Sequence, residues 1–178
     1  VLTQDGVKLG QIVRPVGERL WLAPADINLS VAENRLSATI GREQVLREKE
    51  ERVRHRIDEE IEKNRAEVIK IRRFIHMNPE LANREFETSR LVAAKLETLG
   101  FEVRTGVAKT GVVGLLRGTR PGTTVAVRAD MDALPIQEAT GLPFKSLNAG
   151  VMHACGHDVH TSIALGTAMV LRAVKDTL

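Results

Sequence analysis

The chain has 178 residues, 43% of them apolar and 28% charged, with a net charge of +3 and no tyrosine. That length suits one ordinary domain, or a domain with an appendage, and a core that Leu, Val, Ile and Ala must fill favours layered helices and sheet. The composition argues against a nucleic-acid partner, because the arginines are scattered among glutamates and aromatics reach only 3%. It also argues against a membrane span, since no apolar run approaches ~20 residues.

A single cysteine cannot form an internal disulfide, so nothing requires an oxidising compartment and a cytoplasmic setting is expected. The sequence opens on Val1 and stops at Leu178 in mid-pattern, which reads as a fragment of a longer protein.

Residues 1–49 differ in style from the rest. Short apolar runs are broken by Asp5-Gly6, Gly10 and Pro15, residues 20–22 are expected to form a short strand before Pro24, and Asn28-Leu29-Ser30 is expected to cap a helix through Ile40. The segments G-V-K-L, L-W-L-A-P-A-D-I-N-L-S-V-A-E-N-R-L and I-G-R-E-Q-V-L-R resemble an internal stretch of the partition-type ATPases that segregate chromosomes and plasmids. An unrelated strand-turn-helix reads equally well. With no G-x-x-x-x-G-K-[ST] loop anywhere in the chain, this region is assigned no nucleotide chemistry.

Residues 43–76 read as one long helix. Val45, Leu46, Val53, Ile57, Ile61, Val68, Ile71 and Ile75 recur at helical spacing, and the opposite face offers the pairs Glu48 with Arg52 and Glu59 with Lys63. Pro79 is expected to end the helix, leaving His76 near its negative pole in a structural role. A second amphipathic helix is expected over 88–99, stopped by Gly100. Strands are expected over 101–105, 111–116 and 124–128. The order describes an α/β protein with a layered helix-sheet-helix arrangement.

Asp130 and Asp132 leave the last of these strands at i,i+2 spacing, so both would point to the same side in extended backbone. Downstream, residues 151–161 (V-M-H-A-C-G-H-D-V-H-T) hold three of the five histidines, the cysteine and an aspartate. Buried in a core, each of those groups would need a hydrogen-bond partner, whereas a metal ion uses thiolate, imidazole and carboxylate directly. Cys155 and His157 are again i,i+2, with Gly156 between them allowing close backbone approach. Thr161 or Ser162 is expected to start the next helix. The spacing matches no structural zinc finger and suits an open, catalytic metal centre.

Four segments together carry a resemblance: R-R-F-I-H-M-N-P-E-L (72–81), V-A-V-R-A-D-M-D-A-L-P-I (125–136), T-G-L-P-F-K-S (140–146) and M-H-A-C-G-H-D-V-H-T (152–161). By them, residues from about 66 to 178 resemble the N-terminal part of the catalytic domain of the metal-dependent amidohydrolases. This is the family of aminoacylases and zinc carboxypeptidases, in the branch of hippurate hydrolase and the plant auxin-conjugate hydrolases. Phe74 departs from the acidic residue usual there.

The resemblance implies a domain division at 1–49 and 50–178 and a dinuclear metallopeptidase fold. It implies a centre of two divalent ions (manganese, zinc or nickel) with Cys155 and His157 as ligands. Asp132 would be the aspartate that orients groups at the metal site, and Asp130 stands where other branches place a histidine ligand. The reaction implied is hydrolysis of the amide bond in N-acyl amino acids or related peptides, in proteins that form homo-oligomers. The general-base glutamate, a further glutamate ligand and more histidines fall at positions that residues 1–178 do not include. The chain alone is therefore expected to bind metal weakly and not to turn over.

Two other readings compete. Cys155 could be the nucleophile of a cysteine hydrolase with His157 or His153 as base, although nucleophile and base normally come from separate elements. Alternatively the chain could be a non-catalytic fusion whose long charged helix binds a partner.

Overall fold

The chain builds its core where the apolar stripe of a long helix meets two shorter helices and a hairpin. The computed structural model describes residues 14–15, 21–22 and 42–177, with side chains from residue 46 onward. The helix expected over 28–40, and most of the segment that resembles partition-type ATPases, lie outside the described residues.

Two units are distinguished: Val1–His55 with Arg120–Ala126, and Arg56–Thr119 with Val127–Leu178. In the first, β1 (Arg14–Pro15) pairs antiparallel with β2 (Trp21–Leu22), Arg14 opposite Leu22. The helix α1 (Arg42–Met77) begins there and continues into the second unit. Arg52 Nε donates to the backbone carbonyl of Glu48 at 3.2 Å, and Lys63 pairs with Glu60 at 2.9 Å.

In the second unit the stripe of α1 does what its spacing predicts. Ile71 and Ile75 are buried with Val92, Leu165 and Met169, and Val68, Leu91, Leu96, Leu99, Val112 and Met131 pack around them. Val92 belongs to α2 (Phe86–Thr98), and Leu165 and Met169 to α3 (His157–Ala173). Pro79 stops α1 as expected, and Asn78 closes its end by bonding the Phe74 carbonyl through both backbone and side chain. The free N–H groups of Glu87 and Thr88 at the start of α2 are met by the carboxylate of Glu80, at 3.0 and 2.8 Å. At its other end Gly100, at φ +77°, supplies the left-handed residue of a Schellman ending. Phe101 N–H donates to the Leu96 carbonyl and Gly100 N–H to that of Glu97.

After this turn the chain forms a hairpin of β3 (Glu102–Val107) and β4 (Gly111–Leu115), antiparallel, with Glu102 opposite Leu115 and an irregularity between Arg104 and Val107. Two of the three strands expected after α2 are therefore present. Residues 124–128 form none: Val125 and Val127 are 74% and 64% exposed, and no strand among the described residues pairs with them. Alternation of apolar and polar residues makes a segment suitable for a sheet, but an edge must be there to receive its N–H and C=O groups.

What positions the site is a pair of single bridges. Ala133 lies parallel to Leu81, with its N–H on the Glu80 carbonyl at 2.7 Å. Leu134 lies antiparallel to Met152, the two exchanging hydrogen bonds at 2.9 and 3.0 Å. These bridges tether residues 131–134 between the end of α1 and the segment that leads into α3. Among the described residues no helix is long and apolar enough to cross a membrane.

Candidate metal centre

Helix α3 starts earlier than its apolar run suggests. Its first residue is His157 rather than Thr161, and the residue before it, Gly156, takes a left-handed conformation (φ +85°) with no side-chain cap. Thr161 or Ser162 was the expected start, and a hydroxyl there would be a common way for a helix to open. Here a glycine turns the chain instead, so Cys155 lies just outside the helix and His157 in its first turn. Cys155 is exposed and unoxidised.

The bridges of residues 133 and 134 bring Asp132 to His157. The histidine Nδ1 stands 2.9 Å from Asp132 Oδ1 and 2.9 Å from the Asp132 carbonyl oxygen. Both oxygens can only accept, so Nδ1 is the nitrogen that donates to Asp132. Asp130 is placed differently. Its carboxylate pairs with Arg128 at 2.7 Å, while its carbonyl accepts from the Thr161 hydroxyl at 3.0 Å. The i,i+2 spacing thus delivers one aspartate to the histidine and leaves the other with an arginine.

Behind this pair lies a cluster of Asp158, Arg72 and Glu138 around His76, which the sequence assigned only a structural role. Asp158, fully buried, approaches His76 Nδ1 at 2.7 Å and Arg72 Nε at 2.9 Å through the same oxygen, Oδ2. The second contact is an ion pair rather than an aligned hydrogen bond. Glu138 stands 3.3 Å from His76 Nε2 and accepts from Ser146 N–H at 2.6 Å and from the Thr140 hydroxyl. His76 does end α1, as read, but it is buried among carboxylates rather than resting at a solvated helix end. These partners lie 62 and 82 residues from it in sequence, beyond the reach of any local pattern.

His153 is 4% exposed, and neither ring nitrogen has a hydrogen-bond partner. Burial holds its imidazole below the usual histidine range, with a partial opposing pull from Asp158. His160 faces solvent, its ring 5.5 Å from that of His157.

The donors suit a borderline divalent ion: a free thiol, and an imidazole whose far nitrogen is oriented by a carboxylate, the usual support of a metal-bound histidine. Among the described residues no three His, Cys, Asp or Glu side chains converge closely enough to enclose an ion. What the structure places together is His157 with Asp132.

Comparison with known proteins adds the family. Residues 126–178 match Peptidase family M20/M25/M40. This segment is similar to the members of that family.

Over 112 residues the chain is 55% identical to thermostable carboxypeptidase 2 of Saccharolobus solfataricus, an overlap of 62% of this chain and 28% of that protein. It is 52% identical to the hippurate hydrolase of Campylobacter jejuni, over 60% of this chain and 28% of the relative. The crystal structure of the Bacillus subtilis YXEP protein, described as a dinuclear metal-binding peptidase of the M20 family, superposes with a TM-score of 0.61 at 45% identity. That overlap covers 64% of this chain and 32% of YXEP. The mixed helix-and-sheet fold read from the sequence is thus the fold of an M20 structure over the shared part. The chain spans under a third of the length of these relatives.

Proposed function

We propose that the M20 segment contributes to a metal-dependent hydrolase that cleaves the amide bond of N-acyl amino acids or related peptides. The ligands are Cys155, through its thiolate, and His157, through Nε2. Asp132 holds His157 in the tautomer that frees Nε2. The observation that supports the reading most directly is the double acceptance of His157 Nδ1–H by Asp132. It leaves Nε2 as the ring nitrogen available to an ion, Cys155 two residues before it in the chain is exposed, and the hydrolases and carboxypeptidase with which the chain shares about half its aligned residues support the reaction class.

A bound pair of divalent ions (manganese, zinc or nickel) supplies Lewis acidity toward the amide carbonyl and toward water. The residues present here bind and orient. Thiolate and imidazole hold the ion, Asp132 fixes the imidazole, and Gly156 turns the chain between the two donors. Two donors hold an ion weakly, so the chain by itself does not turn over. Residues 1–49 carry no part of the chemistry, and a free thiol as ligand accords with a reducing, cytoplasmic setting.

The test is calorimetric titration of the chain with Zn²⁺ and Mn²⁺, beside assays of hippurate and acetyl-amino-acid hydrolysis. Binding that Cys155→Ser and His157→Ala each abolish is the expected result, with no turnover. Unchanged binding in both variants would refute the ligand assignment. Chelator-sensitive hydrolysis by the pure chain would refute the division of labour.

A further inference from the structure

Helix α3 opens on a glycine and has no side-chain cap, so its first turn rests on backbone hydrogen bonds to the Gly156 carbonyl alone, yet that turn carries His157. Beside the Thr161 hydroxyl on the Asp130 carbonyl, two contacts from elsewhere reach its first two residues. One is Asp132 on His157; the other is the meeting of Asp158 with Arg72 and His76, both from the last turns of α1. The second contact reaches further than the first. His76 Nδ1 meets Asp158, and His76 Nε2 meets Glu138, which in turn receives Ser146 N–H and the Thr140 hydroxyl. The Glu138 loop also carries Phe144, whose ring packs edge-on to His76 at 5.7 Å and lies 5.0 Å from the Arg72 and Arg73 guanidinium groups.

One imidazole therefore ties two separate segments to α1. The cluster sets the carboxylates of Asp158 and Glu138 against the Arg72 guanidinium and the two ring nitrogens of His76. Buried ionic groups of this kind add little stability over apolar packing of the same volume. Their effect lies in the geometry that they impose.

We propose that His76 is a positioning residue with two separable arms, resting on the metal-centre reading above. The Nδ1–Asp158 arm fixes the first turn of α3 and so the direction in which Cys155 and His157 present their donors. The Nε2–Glu138 arm fixes the 138–146 loop and leaves the donors untouched. Asparagine and glutamine separate the two, because the amide nitrogen of Asn falls near the position of Nδ1 and that of Gln near Nε2.

The experiment is cobalt titration of the full chain, read by the thiolate-to-cobalt charge-transfer band, with thermal melting of the metal-free proteins alongside. His76→Gln is expected to weaken cobalt binding about 10- to 100-fold, the range typical of residues that orient metal ligands. His76→Asn is expected to bind like the parent although both variants melt lower. Equal binding by parent and His76→Gln overturns the proposal and leaves the metal centre standing. Losses in both variants that follow their melting overturn it too, since that is the signature of a purely structural residue. Absence of the band in the parent overturns the metal centre, and the proposal with it. Should His76→Gln fail to fold, Asp158→Asn tests the same arm: weakened binding supports the proposal, and parental affinity refutes it.

Discussion

His157 gives its Nδ1 proton to Asp132 twice over, to the carboxylate and to the backbone carbonyl of the same residue, each at 2.9 Å. The carbonyl contact survives any substitution at position 132, so the side chain can be removed without freeing the ring altogether. What is lost is the charge that makes the imidazole a better donor. Asp132→Ala is therefore expected to weaken zinc binding by about tenfold, toward the lower end of the range for such orienting groups. The fold should stay intact, since the side chain is partly exposed. Calorimetric titration with circular dichroism checks both halves, and undiminished zinc affinity would count against any role for Asp132.

Gly156 offers a cleaner backbone test. A methyl group added there meets nothing within 4 Å, so Gly156→Ala creates no clash. Its φ of +85° is a conformation that a side chain disfavours by roughly 1–2 kcal/mol. The variant is expected to lose about that much in urea unfolding, and to bind metal less well, because relaxing the turn swings Cys155 away from His157. A variant as stable as the parent would mean that the left-handed turn is not required.

How far the site could be read from sequence depended on how far apart its parts lie. Cys155 and His157 stood out as candidates through their chemistry and i,i+2 spacing, the family resemblance chose Asp132 over Asp130, and the fold class followed from apolar periodicity that Ile71, Ile75, Val92 and Leu165 fulfil. The start of α3 was misplaced by four residues because Gly156 opens it without a polar cap. The expected strand at 124–128 is not there because a strand is a relationship between two segments, and a single segment can show only its fitness for one. Asp158 sat within the cluster yet could not be distinguished from the metal donors. Its partners Arg72 and His76 stand on another helix, and nothing in the intervening sequence declares the pairing.

The buried end of the His76 network should also show in the acid limb of stability. Burial pushes the Glu138 carboxyl upward, but the Ser146 N–H, the Thr140 hydroxyl and His76 outweigh it and bring its pKa from 4.5 down to about 2. A carboxyl that is more acidic folded than unfolded stabilises the fold fully above its unfolded pKa. That contribution drains away as the pH falls through the window from 4.5 to about 2. Glu138→Gln is expected to lower the urea midpoint at neutral pH and to flatten the decline across that window. If the variant and the parent lose stability in parallel down to the acid end, Glu138 does not carry the dependence.

Cys155 gives the most direct reading of whether an ion is held at all. It is the chain's single cysteine and it is exposed, so iodoacetamide can modify one site, and intact-mass spectrometry counts that event without ambiguity. A thiolate engaged with zinc has its lone pair committed to the metal and reacts more slowly than a free one. Saturating Zn²⁺ is therefore expected to slow alkylation several-fold, and excess chelator to restore the rate. Prior alkylation should abolish the zinc heat in calorimetry. The same measurement separates the metal reading from a cysteine nucleophile, whose reactivity would come from a neighbouring base and would not respond to chelator. His157→Ala sharpens the comparison. If Cys155 and His157 share an ion, the variant should lose most of the protection by zinc while its alkylation rate without metal stays near that of the parent. Protection that persists in His157→Ala would assign the ion to other donors and detach His157 from the site.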